Sequence, residues 1–571
     1  MAKHLPPSEQ IKACNRRLAA LKISRSSWDE HWKEARDNIF PWAGNWLDTD
    51  DQNSGEKRND PITTVGREAL QTLAAGMQGG LTPRSERWFS LRLARRDDRQ
   101  HDPTVNGWLD RCTDLILNIL AESNFYHVTA QMYEDLGLFG TSCMYIEDDF
   151  NTVVTFRHIS VGEYWLADDW KGRADTVFRE FQISARALLD EFGEEHCSQA
   201  VKNMAETQPD KLVTVIHAVF PREGGRETAD NPRDMPWASL YYEAGATDTL
   251  LRESGFRKFP FLVCRWQVHG EDVYGHSPAM YALADVKQVR DMLVDVADMV
   301  GMIARPPLQG PESLENTEIS LDPGSVTLVP RMEGGAMLQP VIGYQADAMR
   351  VYQVVQEVEN KIRNAFHYQI FMMFDGSESK NMTATEVLER RQVRLTQLGP
   401  VLERLQTELF GPLIDRIFDR CAAVGILPEV PEGLPEGDRI DIRYRSALAK
   451  ASDLGRVTNM QQFYQVIGGM AQMPGVLDNL DMDSMVRTFA DYLDVPPELL
   501  KGLKDVEQAR AEQQKQQEQA AKMQQVQQMA EMANTAASAT HSLGSTDMSG
   551  GNSALSQLMN SLGGGAFNGR A

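Results

Sequence analysis

Cysteine is scarce in this chain and unpatterned. Six residues, Cys14, Cys112, Cys143, Cys197, Cys264 and Cys421, stand far apart with no C-x-x-C pair, which argues against a zinc site and a disulfide framework and fits a reducing compartment. No apolar run approaches the roughly 18 residues that a membrane span needs. The opening MAKHLPPSEQIKACNRR also lacks the apolar core of a secretory leader, so a soluble chain outside any membrane is expected. Positive charge is in deficit: 58 Lys and Arg face 81 Asp and Glu, a formal net charge of −23. Tight wrapping of nucleic acid needs many Lys and Arg contacts to phosphate, so that class is disfavoured while weak, passing contact is not. Neither G-x-x-x-x-G-K-[ST] nor H-E-x-x-H occurs, so no ATPase phosphate cradle, no metal site and no cofactor is expected, and the chain reads as a non-enzyme.

What is present is a long chain of 571 residues, too long for one core and expected to divide into several lobes. A first helix is expected over SSWDEHWKEARDNIF, with Trp28, Trp32, Ala35 and Ile39 on one face, Ser26 or Ser27 as its cap and Pro41 as its stop. A second follows in PITTVGREALQTLAAGMQGGLTPRSERWFSL and ends at a Gly pair. From about Val128 to His269, short β-type runs such as TVVTFRHI, LVTVIHAVF, SLYYEA and FPFLVCRWQVH dominate. The fold class is therefore α+β, with a mixed α/β lobe in the first half.

The middle of the chain carries the most information. A helix from Ser277 to about Arg305 shows Val286, Val289, Leu293, Val296, Val300 and Ile303 in steps of three and four, which is a heptad seam. On the same helix Asp291, Asp295 and Asp298 fall nearly opposite that stripe. A second helix, about Gln345 to Tyr368, repeats the seam with Val351, Val355, Val358, Ile362 and Ala365. Between them, Arg305 to Gly343 is too rich in Pro and Gly for a long helix and leaves room for short strands and turns. Two packed helices with an excursion at their tips make a projecting stalk. The apolar run IFMMF then gives way to DGSESKNM, a polar loop, before a third long helix with Leu388, Leu395, Leu398, Leu402, Leu405, Leu409, Leu413 and Ile417 on one side and a kink expected at Pro400. A strand is expected in RIDIRYRS, a helical region from about Ala447 to Leu503, and a tail that is Gln- and Ala-rich, then Gly- and Ser-rich and mobile.

Three features compete as decoys. GHSPA, Gly275 to Ala279, has the outline of a nucleophile elbow around Ser277, but Ser followed by Pro278 is also the preferred order of cap and first helical residue. DNLDMDSM offers Asp478, Asp481 and Asp483 without the Gly and Glu of a calcium loop. The basic run with Arg84, Arg87, Arg92, Arg95, Arg96 and Arg99 reads better as a solvated or internally paired face than as a phosphate site.

The order of these parts, with the phrases LAAGMQGGLTPRSERWFSL, NMTATEVLERRQ and IRYRSALAKASDLGRV, resembles the portal, or head-to-tail connecting, proteins of short-tailed bacteriophages up to about residue 505. That resemblance implies a phage portal fold with an α/β wing, a two-helix stem, a small α/β clip and a helical crown. It implies a homo-oligomeric ring of twelve copies at one capsid vertex, around double-stranded DNA that is bound without sequence preference. It also implies a terminase large subunit, major capsid and scaffolding proteins and a tail adaptor as partners, in the virion and assembled in the host cytoplasm. Mapped onto this sequence, 1–59 is an N-terminal helical segment, 60–270 the wing, 277–304 and 345–368 the stem, and 305–344 the clip. The tunnel loop is 369–383, the long wing helix and its following strand 384–446, the crown 447–505 and the tail 506–571. Asp291, Asp295 and Asp298 would line a channel, repelling phosphate so that DNA is centred without adhering. Asp375, Gly376, Ser377, Ser379, Lys380, Asn381 and Met382 would face the DNA, and Val286, Val289, Leu293, Val296, Val300, Val351, Val355 and Val358 would pack the subunits. A viral scaffold without a channel is the alternative in the structural class, and a hydrolase using Ser277 the alternative in the enzyme class.

Overall fold

A computed structural model describes residues 6–46, 63–93, 103–304, 308–309, 339–340, 348–372, 398–431, 440–445 and 503–544, with a few single residues between 460 and 486. The chain divides into two compact units, 1–94 with 108–481 and 95–107 with 482–571. The architecture is mixed helix and sheet, an α+β chain.

The first helix, α1 (Pro7–Ile39), is much longer than SSWDEHWKEARDNIF suggests. Ser26 is interior: its hydroxyl donates back to the Ile23 carbonyl (2.8 Å), as Ser24 does to Leu21 (3.0 Å), so the serines satisfy themselves on the helix instead of capping it. What extends the helix is a second apolar stripe. Ile11, Cys14 and Leu18 are buried against Trp165, Phe178, Ile216, Leu240 and Tyr242. Arg25 is buried beside them, its guanidinium 4.2 Å from the Trp165 ring centre, paired with Asp29 at 3.0 Å and donating to the carbonyl of Tyr164.

Those aromatic and aliphatic partners belong to a five-stranded antiparallel meander of β4 (Tyr164–Asp168), β5 (Ala174–Ser184), β6 (Leu212–Pro221), β7 (Trp237–Glu243) and β8 (Arg252–Phe256). Side chains alternate between its faces. Ile216 meets α1, while its neighbour Val215 lies in a cluster with Leu188, Phe192 and Val201 of α5 (Ala185–Phe192) and α6 (Gln199–Thr207). A second antiparallel sheet has the order β3 (Val153–Ile159), β2 (Thr141–Asp149), β9 (Phe261–Arg265). The β-type runs therefore lie where they are expected, but Val128 falls inside a helix, α4 (Phe125–Phe139), and the strands begin at Thr141. Buried Phe125, Met132, Tyr133 and Leu136 hold that helix in the core.

Further described helices include α2 (Val65–Leu81), α3 (Pro103–Glu122), α7 (Pro278–Ala304), α8 (Ala348–Ala365), α9 (Tyr368–Met372), α10 (Gly411–Val424) and α11 (Leu503–Gly544), with helical residues 398–405 leading toward α10. The strand expected in RIDIRYRS is β12 (Ile440–Tyr444), paired antiparallel with β1 (Phe89–Leu93). The helix running into α10 departs from α geometry in a π turn, Gln406–Phe410, which leads directly into Gly411 and Pro412; the turn before Pro400, where a kink is expected, reaches outside the described residues. In the π turn the Gln406 carbonyl accepts from the Gly411 amide and from the Tyr444 hydroxyl at 3.1 Å, so the widened turn keeps its acceptor satisfied. In the other unit α11 is exposed at its described side chains from Gln508 on, including Met523, Val526, Met529 and Met532, while Val506 is half-buried.

Candidate functional site

The start of α7 is fixed by a crossing of two chain segments. Gly140, with φ +76°, meets Gly275 so closely that a Cβ on either would stand 2.3 Å from the other's carbonyl oxygen. Only glycine permits this approach and this φ. Two residues on, Ser277 accepts from the Met280 amide (3.0 Å), donates to the Leu138 carbonyl (2.8 Å) and is fully buried. Ser277 is a helix cap tied into the core, and the hydrolase reading loses its nucleophile.

Along α7 the side chains divide into two stripes. Ala282, Leu283, Val286 and Val289 are buried, and Leu293 and Val296 are half-buried. Tyr281, Ala284, Gln288, Asp291, Asp295 and Asp298 form one continuous exposed stripe in steps of three and four. The three aspartates therefore share a solvent-facing line, with Asp291 accepting from Arg290 at 3.0 Å. Val286 and Val289, at 1% and 0% exposure, are covered by this chain's own packing: Val286 comes up against Gly66 of α2, near Ile39 of α1. Val300 is different, with about half its surface open (51%).

Helix α8 packs along α7. Val355, Val358 and Ile362 are buried and Val351 and Ala365 half-buried, and α8 also packs against α2. Tyr352 and Val354 remain exposed. Beyond the helix ends, two short strands, β10 (Leu308–Gln309) and β11 (Gln339–Pro340), pair antiparallel and close the excursion at its base. Residues 310–338 lie outside the described part.

At the other end of α8 the chain turns sharply through His367, whose φ of +54° is in the left-handed region and whose ring stacks on Trp266, and enters α9. Ile370 and Phe371 are buried. Phe371 rests on Gly76 of α2, so tightly that a Cβ at position 76 would come within 2.2 Å of its ring. The apolar base of the loop is thus anchored on α2. Asp375, Gly376, Ser377, Ser379, Lys380, Asn381 and Met382 lie outside the described residues, as do Leu388, Leu395 and Asp478, Asp481 and Asp483. In the basic run, Arg87 pairs with Asp114 at 2.5 Å and Arg84 donates to the Ala121 carbonyl at 3.2 Å, while Arg95, Arg96 and Arg99 are not described.

One cluster gave no signal in the sequence. Arg265, 2% exposed, donates to Asp168 (2.7 Å), Glu408 (2.7 Å) and the Gly172 carbonyl (2.7 Å), tying together β9, the end of β4 and the π turn. Burial alone would weaken the guanidinium's hold on its proton, but the two carboxylates outweigh it and raise its pKa. Burial also pushes the Asp168 carboxyl up, with Arg265 opposing. The three residues are separated by long stretches of chain and carry no spacing that sequence reading can recognise. All six cysteines are free and buried, and burial pushes the Cys14 thiol up to about 12. Among the described residues no helix is long and apolar enough to cross a membrane.

The sequence profile of the bacteriophage head to tail connecting proteins matches residues 11–500. The chain belongs to that family. It is 37% identical over 488 residues to a probable portal protein of Bordetella phage BPP-1, covering 85% of this chain and 87% of that one. It is 34% identical over 503 residues to a portal protein of Salmonella phage epsilon15, covering 87% and 90%. The connector family is structural and not enzymatic, and the match runs through the paired helices and the anchored loop base just described.

Proposed function

We propose that this connector is the subunit of a portal ring at one capsid vertex, through which double-stranded DNA is packaged and ejected. The observation that carries the reading is the α7 and α8 pair. It is rooted among α1, α2 and α4 at one end, closed by a short ladder at the other, and it bears an unbroken exposed stripe that ends in three aspartates. Repeated around a ring, that stripe repels the phosphate backbone within a Debye length, about 8 to 10 Å, and keeps DNA from adhering. In this scheme 277–304 and 345–368 are the stem, 305–344 the clip, 60–270 with 384–446 the wing, 369–383 the tunnel loop and 447–505 the crown. Twelve copies is the number the family resemblance suggests. Terminase and, later, a tail adaptor dock on the assembled ring, and capsid and scaffolding proteins surround it in the virion.

Exposed Val300, Val294, Tyr352 and Val354 on the stem helices supply apolar surface for neighbouring copies. Negative-stain imaging and native mass spectrometry of the purified chain test the proposal. Annuli with a central hole and one closed stoichiometry are expected, whereas monomers or open filaments would sink it.

A further inference from the structure

A closed ring is built from heterologous contacts, in which one patch of each copy meets a different patch of the next. Such contacts need two complementary features on separate sides of the subunit. The five-stranded sheet carries a pair of this kind at the two ends of its β4–β5 ladder.

At one end is the turn Asp169-Trp170-Lys171-Gly172. Trp170 is 89% exposed, one of the most open large aromatic side chains among the described residues. It is held out on a braced support. Asp169 Oδ1 accepts from the amides of Lys171 (2.8 Å) and Arg173 (2.9 Å), and the backbones of Asp169 and Arg173 bond at 2.8 Å. From beneath, the buried Arg265 holds the Gly172 carbonyl. Lys171 approaches the indole, its Nζ 5.0 Å from the ring centre.

At the other end is a cleft of about 310 Å³ lined by Asn45, Arg157, Glu163, Arg179, Phe181, Gln182, Ile183 and Leu212. From Ala174, beside the turn, to Gln182, in the cleft, is eight strand steps, about 26 Å at some 3.3 Å per residue. The cleft has groups suited to an indole. The half-exposed Arg157 offers a guanidinium plane on which an aromatic ring can stack, and the guanidinium of Arg179 already lies over the Phe181 ring at 4.4 Å, making one cation–aromatic wall. Ile183, Phe181 and the exposed Leu212 supply apolar wall. Glu163, which accepts from Asn45 at 2.7 Å and lies 3.5 Å from Arg179, provides an acceptor for an indole N–H. Arg179 is nine-tenths buried, and its Nε has no partner among the described residues.

We propose that Trp170 of each copy seats in the Arg157–Arg179 cleft of the neighbouring copy, so that the occupant of the cleft is a second copy of this chain. The proposal rests on the ring reading and adds a wing-to-wing latch to it. Trp is enriched among the pocket-filling residues that anchor interfaces, and the braced turn reduces the ordering that binding would otherwise require.

Because every native cysteine is buried, engineered surface thiols can be coupled selectively. Lys171→Cys with Leu212→Cys, treated with a short bismaleimide, is expected to give a ladder of covalent multimers on a denaturing gel, up to the full ring, while either single variant gives none. Trp170→Ala, whose parent side chain makes almost no contact within its own chain, is expected to keep its circular dichroism spectrum and to raise the concentration at which rings dissociate at least tenfold. Rings seen by native mass spectrometry without the ladder, or Trp170→Ala rings of unchanged stability, would overturn the latch and leave the ring reading standing. Failure of the wild-type chain to form rings at all would overturn both.

Discussion

Gly76 lies inside α2, where an exposed glycine would be a weakness that alanine relieves by roughly 0.5 to 1 kcal/mol. Here the sign reverses. A Cβ would meet Phe371 Cβ at 2.7 Å as well as its ring, and neither atom is the free end of a flexible side chain. Gly76→Ala is therefore expected to destabilise by about 1 to 3 kcal/mol through overpacking, read as a lower unfolding midpoint, with partial recovery in the double variant carrying Phe371→Leu. His217 gives a second test at this scale. It is fully buried, stacked on Tyr241 at 3.8 Å and bonded to Ser239 at 3.0 Å. Burial, with Arg179, Arg157 and Arg252 behind it, pushes its pKa well below 6.5. The unfolded chain takes up a proton near 6.5 that the folded chain refuses, so stability falls as pH drops below about 6.5, by up to about 1.4 kcal/mol per unit from this residue. His31 and His367 are lowered too and act in the same direction. His158, beside Asp135 at 2.9 Å, is raised and acts oppositely. His217→Gln should flatten the slope of stability against pH between 6.5 and 5, whatever it does to stability at neutral pH; an unchanged slope would assign the acid sensitivity elsewhere.

Among the elements, α7 serves two roles along its length. Its first half is core: Val289→Asp would bury an unpaired charge at a fully covered position, costing several kcal/mol and losing rings because the subunit itself unfolds. Its far half is surface, so Val300→Asp should leave a folded, soluble subunit whose rings fail. Circular dichroism alongside native mass spectrometry distinguishes the two, and normal rings from Val300→Asp would remove that helix face from the subunit contact. This division was legible only in part. The heptad spacing of Val286, Val289, Val355 and Val358 announces an apolar seam, but periodicity cannot say whether the partner is the same chain or the next one. The start of α1 was missed for a related reason. Ser26 and Ser27 look like caps in isolation, and the stripe of Ile11, Cys14 and Leu18 acquires meaning only against a sheet that begins over a hundred residues later. Ser277 was readable because cap and following proline are neighbours in sequence. Arg265, Asp168 and Glu408 were not, since burial and pairing of this kind are properties of the tertiary fold.

For the whole molecule, the loop that follows the buried Phe371 provides the test of function. Deleting Ser377 to Asn381 removes polar residues next to an anchored base, so ring assembly and stability should change little while DNA packaging or retention suffers, with Lys380→Glu weakening retention more than Lys380→Ala. Particles with unchanged genome content from the deletion variant would sink the loop's role. The ladder of Leu308–Gln309 with Gln339–Pro340 has a consequence of another kind. It brings the two ends of the intervening segment side by side before that segment begins, so the stem sees the same pair of attachment points whatever lies beyond them. Lengthening a flexible insert raises its closure entropy only logarithmically, by about 0.6 kcal/mol for each doubling. On the proposed clip reading, exchanging residues 310–338 for those of a relative is expected to change docking preference while leaving the paired helices and ring assembly unaltered.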